Sequence, residues 1–384
     1  MQFHASLKPI LLLWLAGNAL RLSILAVPPV LTLIQADLKL SGTEIGILSG
    51  LPVILFALAA LPGSLLIARF GALRTLLAGL VLSALGGALR GAAPDVWTLY
   101  ATIILMGAGI AVMQTSIPPL VRQWLPDRIN FGSAVATNGL LVGEILPVAF
   151  TVMLLPFLGE SWRAGLAFWS IPTALIAIAV FWFAPPEAKR LADAPRGVWW
   201  PDWSDSLIWR LGLMLGGANT LYFGANTFIP GYLTYAGRPE LIAPALTALN
   251  LGQIPVSFLL IGFARRTERR VWPFVSFGVL MLVACIGIVS TASVWTIVFA
   301  GFVGFAAAGV LALSLALPAI LAAPADIGRM AAAMFVLGYM TAVVLAVAGG
   351  ALWDLTADAR FAFLPIAAGA LPLLILSPTI RFKA

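Results

Sequence analysis

Apolar stretches near the length that a helix needs to cross a bilayer follow one another along this whole chain. A hydrocarbon core roughly 30 Å thick takes about 20 helical residues, and twelve such stretches can be marked, approximately at 7–35, 44–68, 74–90, 96–120, 131–157, 163–184, 206–235, 241–264, 271–290, 294–321, 330–353 and 361–376. A β-barrel would need strands of about 10 residues with alternating polarity, whereas these runs are longer and apolar all round. Composition agrees, because only 10% of the residues are charged against about 25% in an ordinary globular domain. The expected fold is an all-α membrane protein with twelve transmembrane helices. The first stretch exceeds the roughly 7–15 apolar residues of a signal peptide and lacks a small-residue cleavage site, so it is expected to remain as the first helix.

Loop charges set the orientation, since cytoplasmic loops retain Lys and Arg. With the N-terminus inside, sixteen of the 22 basic residues fall on the cytoplasmic side and five on the other, with Arg21 left inside a helix. Both termini are therefore expected to be cytoplasmic. The longest polar interruption, 185–205, carries Glu187, Lys189, Arg190, Asp193, Arg196, Asp202 and Asp205 and divides the spans six and six. The expected organisation is an N-terminal bundle over 1–184, a cytoplasmic linker over 185–205 and a C-terminal bundle over 206–384.

The two halves carry traces of a repeat. A shift of about 200 residues brings Asn18, Arg21 and Pro29 onto Asn219, Tyr222 and Pro230, and Gly109 and Pro118 onto Gly309 and Pro318. Arg69, after the second span, lands near Arg266, after the eighth. Two pseudo-symmetric six-helix bundles in parallel repeat are expected to carry a solute site where the halves meet, near mid-membrane.

Several function classes lose their parts. Cys285 and His4 are each the sole residue of their kind, which removes a disulfide framework, a His/Cys metal site and a histidine-based triad. No G-x-x-x-x-G-K-[ST] phosphate loop occurs, so ATP does not drive this chain directly, and no cofactor or metal is expected. The net charge of +7 is scattered between apolar runs instead of gathered on one face, which argues against nucleic acid. An intramembrane enzyme lacks a nucleophile or metal cluster, and a ligand receptor would call for a soluble signalling domain that has no room here. The expected partners are the lipid bilayer and a small molecule, with or without a coupled proton, and the expected state is a monomer.

Polar residues within the spans are the candidate site. Arg21 lies about 20 Å from either end of its helix, too deep to reach water easily. Its insertion costs at least about 2.5 kcal/mol, so it needs a cavity or a partner, and its planar fork suits a small anion or planar acceptor. Two roles are open: contact with the transported solute, or permanent neutralisation by an acid on a neighbouring helix. Glu144, the other mid-span charge, is either that acid or a carboxylate that loads and releases a proton. Trp14 and Asn18 share the face of Arg21, Asn138 lies near the side of Glu144, and Gln114 sits beside Met113 in span four. Asn219, Tyr222 and Asn226 follow i, i+3, i+7 spacing, as do Asn250, Gln253 and Ser257, so each set shares one helical face. Such stripes line a wet path or bond neighbouring helices. Phe223, Phe335 and Tyr339 are candidate pocket walls, and Gly139 and Gly143 form a GxxxG spacing that permits close helix approach.

Leu20-Arg21-Leu22-Ser23 with Pro28-Pro29, the run from Gly107 through Gly109 with Pro118, Trp162-Arg163-Ala164, Tyr222, Gly338-Tyr339 and Trp353-Asp354-Leu355-Thr356 carry a resemblance over nearly the whole chain. It resembles the cyanate permease and nitroimidazole transporter branch of the major facilitator superfamily. The resemblance implies a secondary transporter of the bacterial inner membrane that works by alternating access on a small, flat or anionic solute, with Arg21 matching the arginine of helix one. The superfamily's signature after span two is matched at Arg69, Gly71 and Arg74, while Ala68 stands where an acid is usual. Span four lacks the arginine of many proton-coupled relatives, and the role of Glu144 is not carried over from the branch. The alternative to an anion carrier is a proton-coupled exporter of drugs or aromatic compounds that uses Glu144.

Overall fold

A computed structural model describes residues 3–40, 42–185, 198–267 and 269–382, and every regular element among them is helical. Glu187, Lys189, Arg190, Asp193 and Arg196 of the expected linker lie outside the described residues. The chain separates into two compact units, one formed by 1–201 with 323–332 and the other by 202–322 with 333–384.

The first unit is built from α1 (Phe3–Leu22), α2 (Leu31–Leu38), α3 (Gly42–Leu58), α4 (Ala60–Phe70), α5 (Ala72–Leu89), α6 (Val96–Trp124), α7 (Ile129–Leu154), α8 (Trp162–Phe168) and α9 (Ser170–Phe183). The second contains α10 (Ser206–Tyr235), α11 (Ile242–Leu251), α12 (Gln253–Thr267), α13 (Trp272–Thr291), α14 (Trp295–Leu321), the greater part of α15 (Ile327–Thr356), α16 (Phe363–Ala368) and α17 (Leu371–Ile375). Among the described residues, ten segments are long and apolar enough to cross a membrane. The other two expected spans correspond to α1 and α10. In α10 the apolar run is interrupted by Asn219, Tyr222 and Asn226.

The repeat extends to helix breaks that periodicity did not mark. The second span of each half is interrupted, at Ala59 between α3 and α4 and at Gly252 between α11 and α12. The sixth is interrupted at Trp169 between α8 and α9, and its counterpart at Gly369-Ala370 between α16 and α17. Span one departs from the pattern. It breaks after Leu22 into a turn, whereas α10 runs on to Tyr235. Two adjacent prolines, Pro28 and Pro29, withdraw two backbone donors where α10 has only Pro230.

Short connections leave helix starts to be capped by the few acids and serines available. Asp95 Oδ1 accepts from Thr98 N at 2.8 Å and Asp205 Oδ1 from Leu207 N at 2.8 Å, which satisfies amide donors that the helix itself leaves open. At the end of α4, Gly71 takes φ +87°, a conformation that favours glycine, and its carbonyl accepts from Thr75 Oγ1 at 2.7 Å.

Exposed side chains are apolar in the manner of a lipid face. Along α9, Ile171, Leu175, Ile178 and Trp182 recur at helical spacing and are all exposed, while Thr173, Ile176, Ala177 and Val180 are buried. Burial against lipid-like neighbours drives helix association weakly, so close van der Waals packing must do more of it. Glycine supplies that closeness where α1 meets α7. A Cβ on Gly139 would collide with Trp14 O, one on Gly143 with Asn18 O, and one on Gly17 with Ala136 O. The GxxxG spacing therefore sets two backbones in direct contact, and this contact positions the polar residues of α1.

A clasp of polar groups closes one end of the first unit. Arg163 Nη1 donates to Asp37 Oδ2 at 2.6 Å and its Nε to Ala93 O at 2.8 Å, while Trp162 Nε1 donates to the same carboxylate oxygen at 3.1 Å. The Arg163 hydrogen bond first, and then that of Trp162, hold the Asp37 carboxyl below its ordinary value of 3.8. A carboxyl lowered by folding contributes stability above its unfolded value and loses it as pH falls through the folded one. Asp37→Asn is therefore expected to lower the thermal midpoint at about pH 6, with the gap to wild type closing as pH falls below about 3.8. A gap independent of pH would show that this carboxylate's charge does not hold the clasp.

Candidate functional site

Trp14, Asn18 and Arg21 project from one face of α1 and engage α7 beside the glycine contact. Trp14 Nε1 donates to Asn138 Oδ1 at 2.9 Å, Asn18 Nδ2 to Trp14 O at 3.0 Å, and Arg21 Nε to Glu144 Oε1 at 3.1 Å. Arg21 Nη1 also donates to Leu20 O at 3.4 Å, and the guanidinium lies over the Phe56 ring, 5.1 Å from its centroid.

The sequence left Arg21 either in contact with solute or beside a neighbouring acid, and the structure places its side chain in an ion pair with Glu144. The exposures of the partners differ, at 8% for the Arg21 side chain and 17% for that of Glu144. The cation is the more enclosed of the two, and the carboxylate keeps the greater access. Breaking a buried pair by removing one partner strands the other charge at a cost of about 3–5 kcal/mol, so this pair yields readily only to an exchange that replaces the lost charge. Phe56, whose negative ring face supports the cation, was not marked from the sequence, since one phenylalanine in an apolar span carries no signal of its own.

Arg90, at the end of an apolar run and beside a short loop, is fully buried. Its Nη2 donates to Ser23 O at 2.7 Å and its Nε to Gly87 O at 3.4 Å. Ser23 begins the turn that follows α1, where Val27 N reaches only Ile24 O. Arg90 thus supplies the donor that the broken helix withdrew.

A second polar group forms in the other unit around Tyr222. Its hydroxyl donates to Asn250 Oδ1 at 2.7 Å and accepts from Gln253 Nε2 at 3.3 Å. Asn250 Nδ2 donates to Leu246 O at 2.8 Å and Asn226 Oδ1 at 3.4 Å, and Asn226 Nδ2 to Tyr222 O at 2.9 Å. The helix break at Gly252 lets Asn250 and Gln253 approach one hydroxyl from α11 and α12. Phe223 lies beside Tyr222 at 5.2 Å between centroids and 6.4 Å from Tyr339, which stacks on Phe335 at 6.3 Å.

Three expected positions stand differently. Asn219, one turn before Tyr222, is buried with Nδ2 making no hydrogen bond among the described residues. Ser257 bonds its own helix, to Ile254 O at 2.8 Å. Gln114 is buried in α6. Arg69 and Arg74 are exposed on either side of Gly71. Among the described residues no cluster of His, Cys, Asp and Glu could hold a metal ion.

Comparison with known proteins agrees with this architecture. Residues 13–347 match the family model described as Major Facilitator Superfamily. The chain is 26% identical over 264 residues to the cyanate transport protein CynX of Escherichia coli (strain K12), covering 68% of each chain. It is 25% identical over 250 residues to the 2-nitroimidazole transporter of the same organism, covering 61% of this chain and 59% of that one. Among solved structures, the E. coli fucose:proton symporter FucP superposes with a TM-score of 0.77 at 14% identity, covering 98% of this chain and 99% of the other. The human organic anion transporter MFSD10 does so with a TM-score of 0.77 at 16% identity, covering 97% and 99%. The chain belongs to the Major Facilitator Superfamily: it is a multi-pass membrane transporter and not an enzyme.

Proposed function

We propose that this protein is a secondary transporter that moves a small anion or small planar polar solute, cyanate-like or nitroimidazole-like, across the bacterial inner membrane by alternating access. The observation that carries the reading is the buried Arg21 guanidinium, paired with Glu144 and supported by Phe56 beneath it. A guanidinium of this kind offers parallel donors to a flat or linear anion, and the relatives named for cyanate and 2-nitroimidazole transport both handle solutes that suit such a surface. Trp14, Asn18 and Gln114 in the first unit, with Asn219, Tyr222, Asn226, Asn250, Gln253 and Tyr339 in the second, are the remaining proposed solute contacts. Arg69, Gly71 and Arg74 form the proposed conformational motif. Bundles over 1–184 and 206–384, cytoplasmic termini and a monomeric state complete the reading.

The ion pair supports a coupled proton within this reading. An arriving anion takes the place of the Glu144 carboxylate on Arg21, and the released carboxylate takes up a proton. The site holds the same net charge before and after, so no stranded ion is left in the bilayer. On this account Glu144→Gln, which carries no exchangeable proton, is expected to keep solute binding and counterflow but lose accumulation driven by a pH gradient. Retained gradient-driven accumulation in sealed proteoliposomes would remove Glu144 from the coupling role.

Calorimetry on purified protein with cyanate and with 2-nitroimidazole tests the solute reading. Wild type is expected to bind at least one of them, and Tyr222→Phe to bind it about fivefold to tenfold more weakly, the worth of a net hydrogen bond near 1 kcal/mol. If neither compound binds wild type, this solute class is wrong for the protein.

A further inference from the structure

We infer that the second unit carries a site for the phosphate headgroup of an anionic phospholipid, formed where the start of α10 meets the segment after α17. This surface takes no part in the solute reading above and stands independently of it. A cavity of about 630 Å³ is lined there by Leu207, Arg210, Pro378, Thr379, Ile380 and Arg381. The volume falls in the range of sites that enclose whole small molecules, more than one inorganic ion needs. Two guanidiniums line it, and no Asp or Glu is among the lining residues. Among the described residues neither arginine is in an ion pair.

Arg210 is held in place before any ligand arrives. Its Nη1 donates to Thr379 O at 3.3 Å and its Nη2 to Ser206 Oγ at 3.2 Å, which aligns the fork and fixes the joint between the two segments. The nearby acid, Asp205, is engaged as the cap of α10 through Leu207 N. The remaining guanidinium edge and the exposed Arg381 leave positive charge facing the cavity, and an arginine fork matches phosphate geometry.

Two neighbouring features point to lipid as the source of that phosphate. Trp203 and Trp209 pack together with centroids 6.3 Å apart, the Trp209 Nε1 donating to Trp203 O at 2.9 Å, and Trp209 is exposed. Amphipathic indoles of this kind concentrate at headgroup depth. Leu371 and Ile375 are exposed at i, i+4 along α17, three residues short of Pro378 in the cavity wall. A headgroup in the cavity with its acyl chain along these two side chains would satisfy both surfaces at once. Basic pockets between spanning helices hold anionic headgroups in this manner.

Native mass spectrometry of the delipidated full-length protein, titrated with phosphatidylglycerol, phosphatidylcholine or inorganic phosphate, tests the site. Wild type is expected to retain one phosphatidylglycerol in preference to phosphatidylcholine. Loss of affinity should be about fivefold for each of Arg210→Gln and Arg381→Gln, whereas Arg128→Gln, an exposed arginine of the first unit, should change nothing. Equal retention of the two lipids, or unchanged retention in the double variant, would overturn the proposal. Displacement of phosphatidylglycerol by millimolar inorganic phosphate would assign the site to free phosphate and overturn the lipid source. The wild-type comparison of the two headgroups decides the question even if the double variant fails to fold, and the paired Lys substitutions should restore the preference in part.

Discussion

Arg21→Gln is expected to leave a folded protein that no longer transports. The glycine contact between α1 and α7 is untouched, so the fold survives with a thermal midpoint lowered by the stranded Glu144 charge, but the cation that an arriving anion needs is gone. Replacing the charge-assisted hydrogen bonds, each worth about 1.5–3 kcal/mol, by weaker neutral ones should cut affinity for an anionic solute by about a hundredfold or more. Thermal unfolding in detergent reads the fold, and uptake into proteoliposomes reads the function. A variant that transports as well as wild type would show that Arg21 only orients the helix bundle. Arg21→Lys separates charge from shape: it keeps the cation but loses the planar fork, so it should bind weakly and select poorly among flat solutes.

Gly139→Val should do the opposite and destroy the fold. A Cβ at this position meets the backbone of Trp14, its Cα at 3.1 Å and its carbonyl closer still. Backbone cannot swing aside as a flexible side chain can, so α1 and α7 must part, and the cost exceeds the roughly 1–3 kcal/mol usual for overpacking. Separation would also pull apart the Trp14–Asn138 and Arg21–Glu144 contacts that lie on either side of Gly139. The expected result is aggregated or unstable protein after extraction, or a thermal midpoint far below that of wild type. Gly262, where an added Cβ meets nothing within 4 Å, provides the control, because Gly262→Ala should be tolerated. A stable, active Gly139→Val would mean that the two helices do not pack in this way.

Much of this arrangement was legible in the sequence, and the parts that were not share a cause. Span length, the repeat and the face shared by Trp14, Asn18 and Arg21 follow from helical periodicity, which one sequence displays directly. Glu144 could be named as a partner for Arg21 because so few charges stand inside the spans that each must answer for another. The group of Tyr222, Asn226, Asn250 and Gln253 was visible as two stripes, but their convergence depends on the break at Gly252, where the helix turns aside against Gly301 O. Periodicity is blind to such breaks. It also placed Asn219 on the face of Tyr222, whereas Asn219 stays outside the hydrogen bonds around that hydroxyl. The burial of Arg90 is hidden from the sequence for a related reason. Its place beside a short loop looks like that of any interfacial arginine, and only the freed carbonyl of Ser23, 67 positions away, explains why it is buried.

The exchange of an anion for a carboxylate at Arg21 is tested most directly by counting protons against solute. Lightly buffered proteoliposomes containing wild-type protein are given labelled cyanate without an imposed gradient, and internal pH and label are followed together. The same measurement with Arg21→Gln vesicles subtracts passive entry. The account predicts that wild type brings in one proton with each anion and that Glu144→Gln abolishes this linked proton movement while one-for-one exchange of cyanate continues. Cyanate entry through wild type with no accompanying proton, or an unchanged proton count in Glu144→Gln, would contradict it.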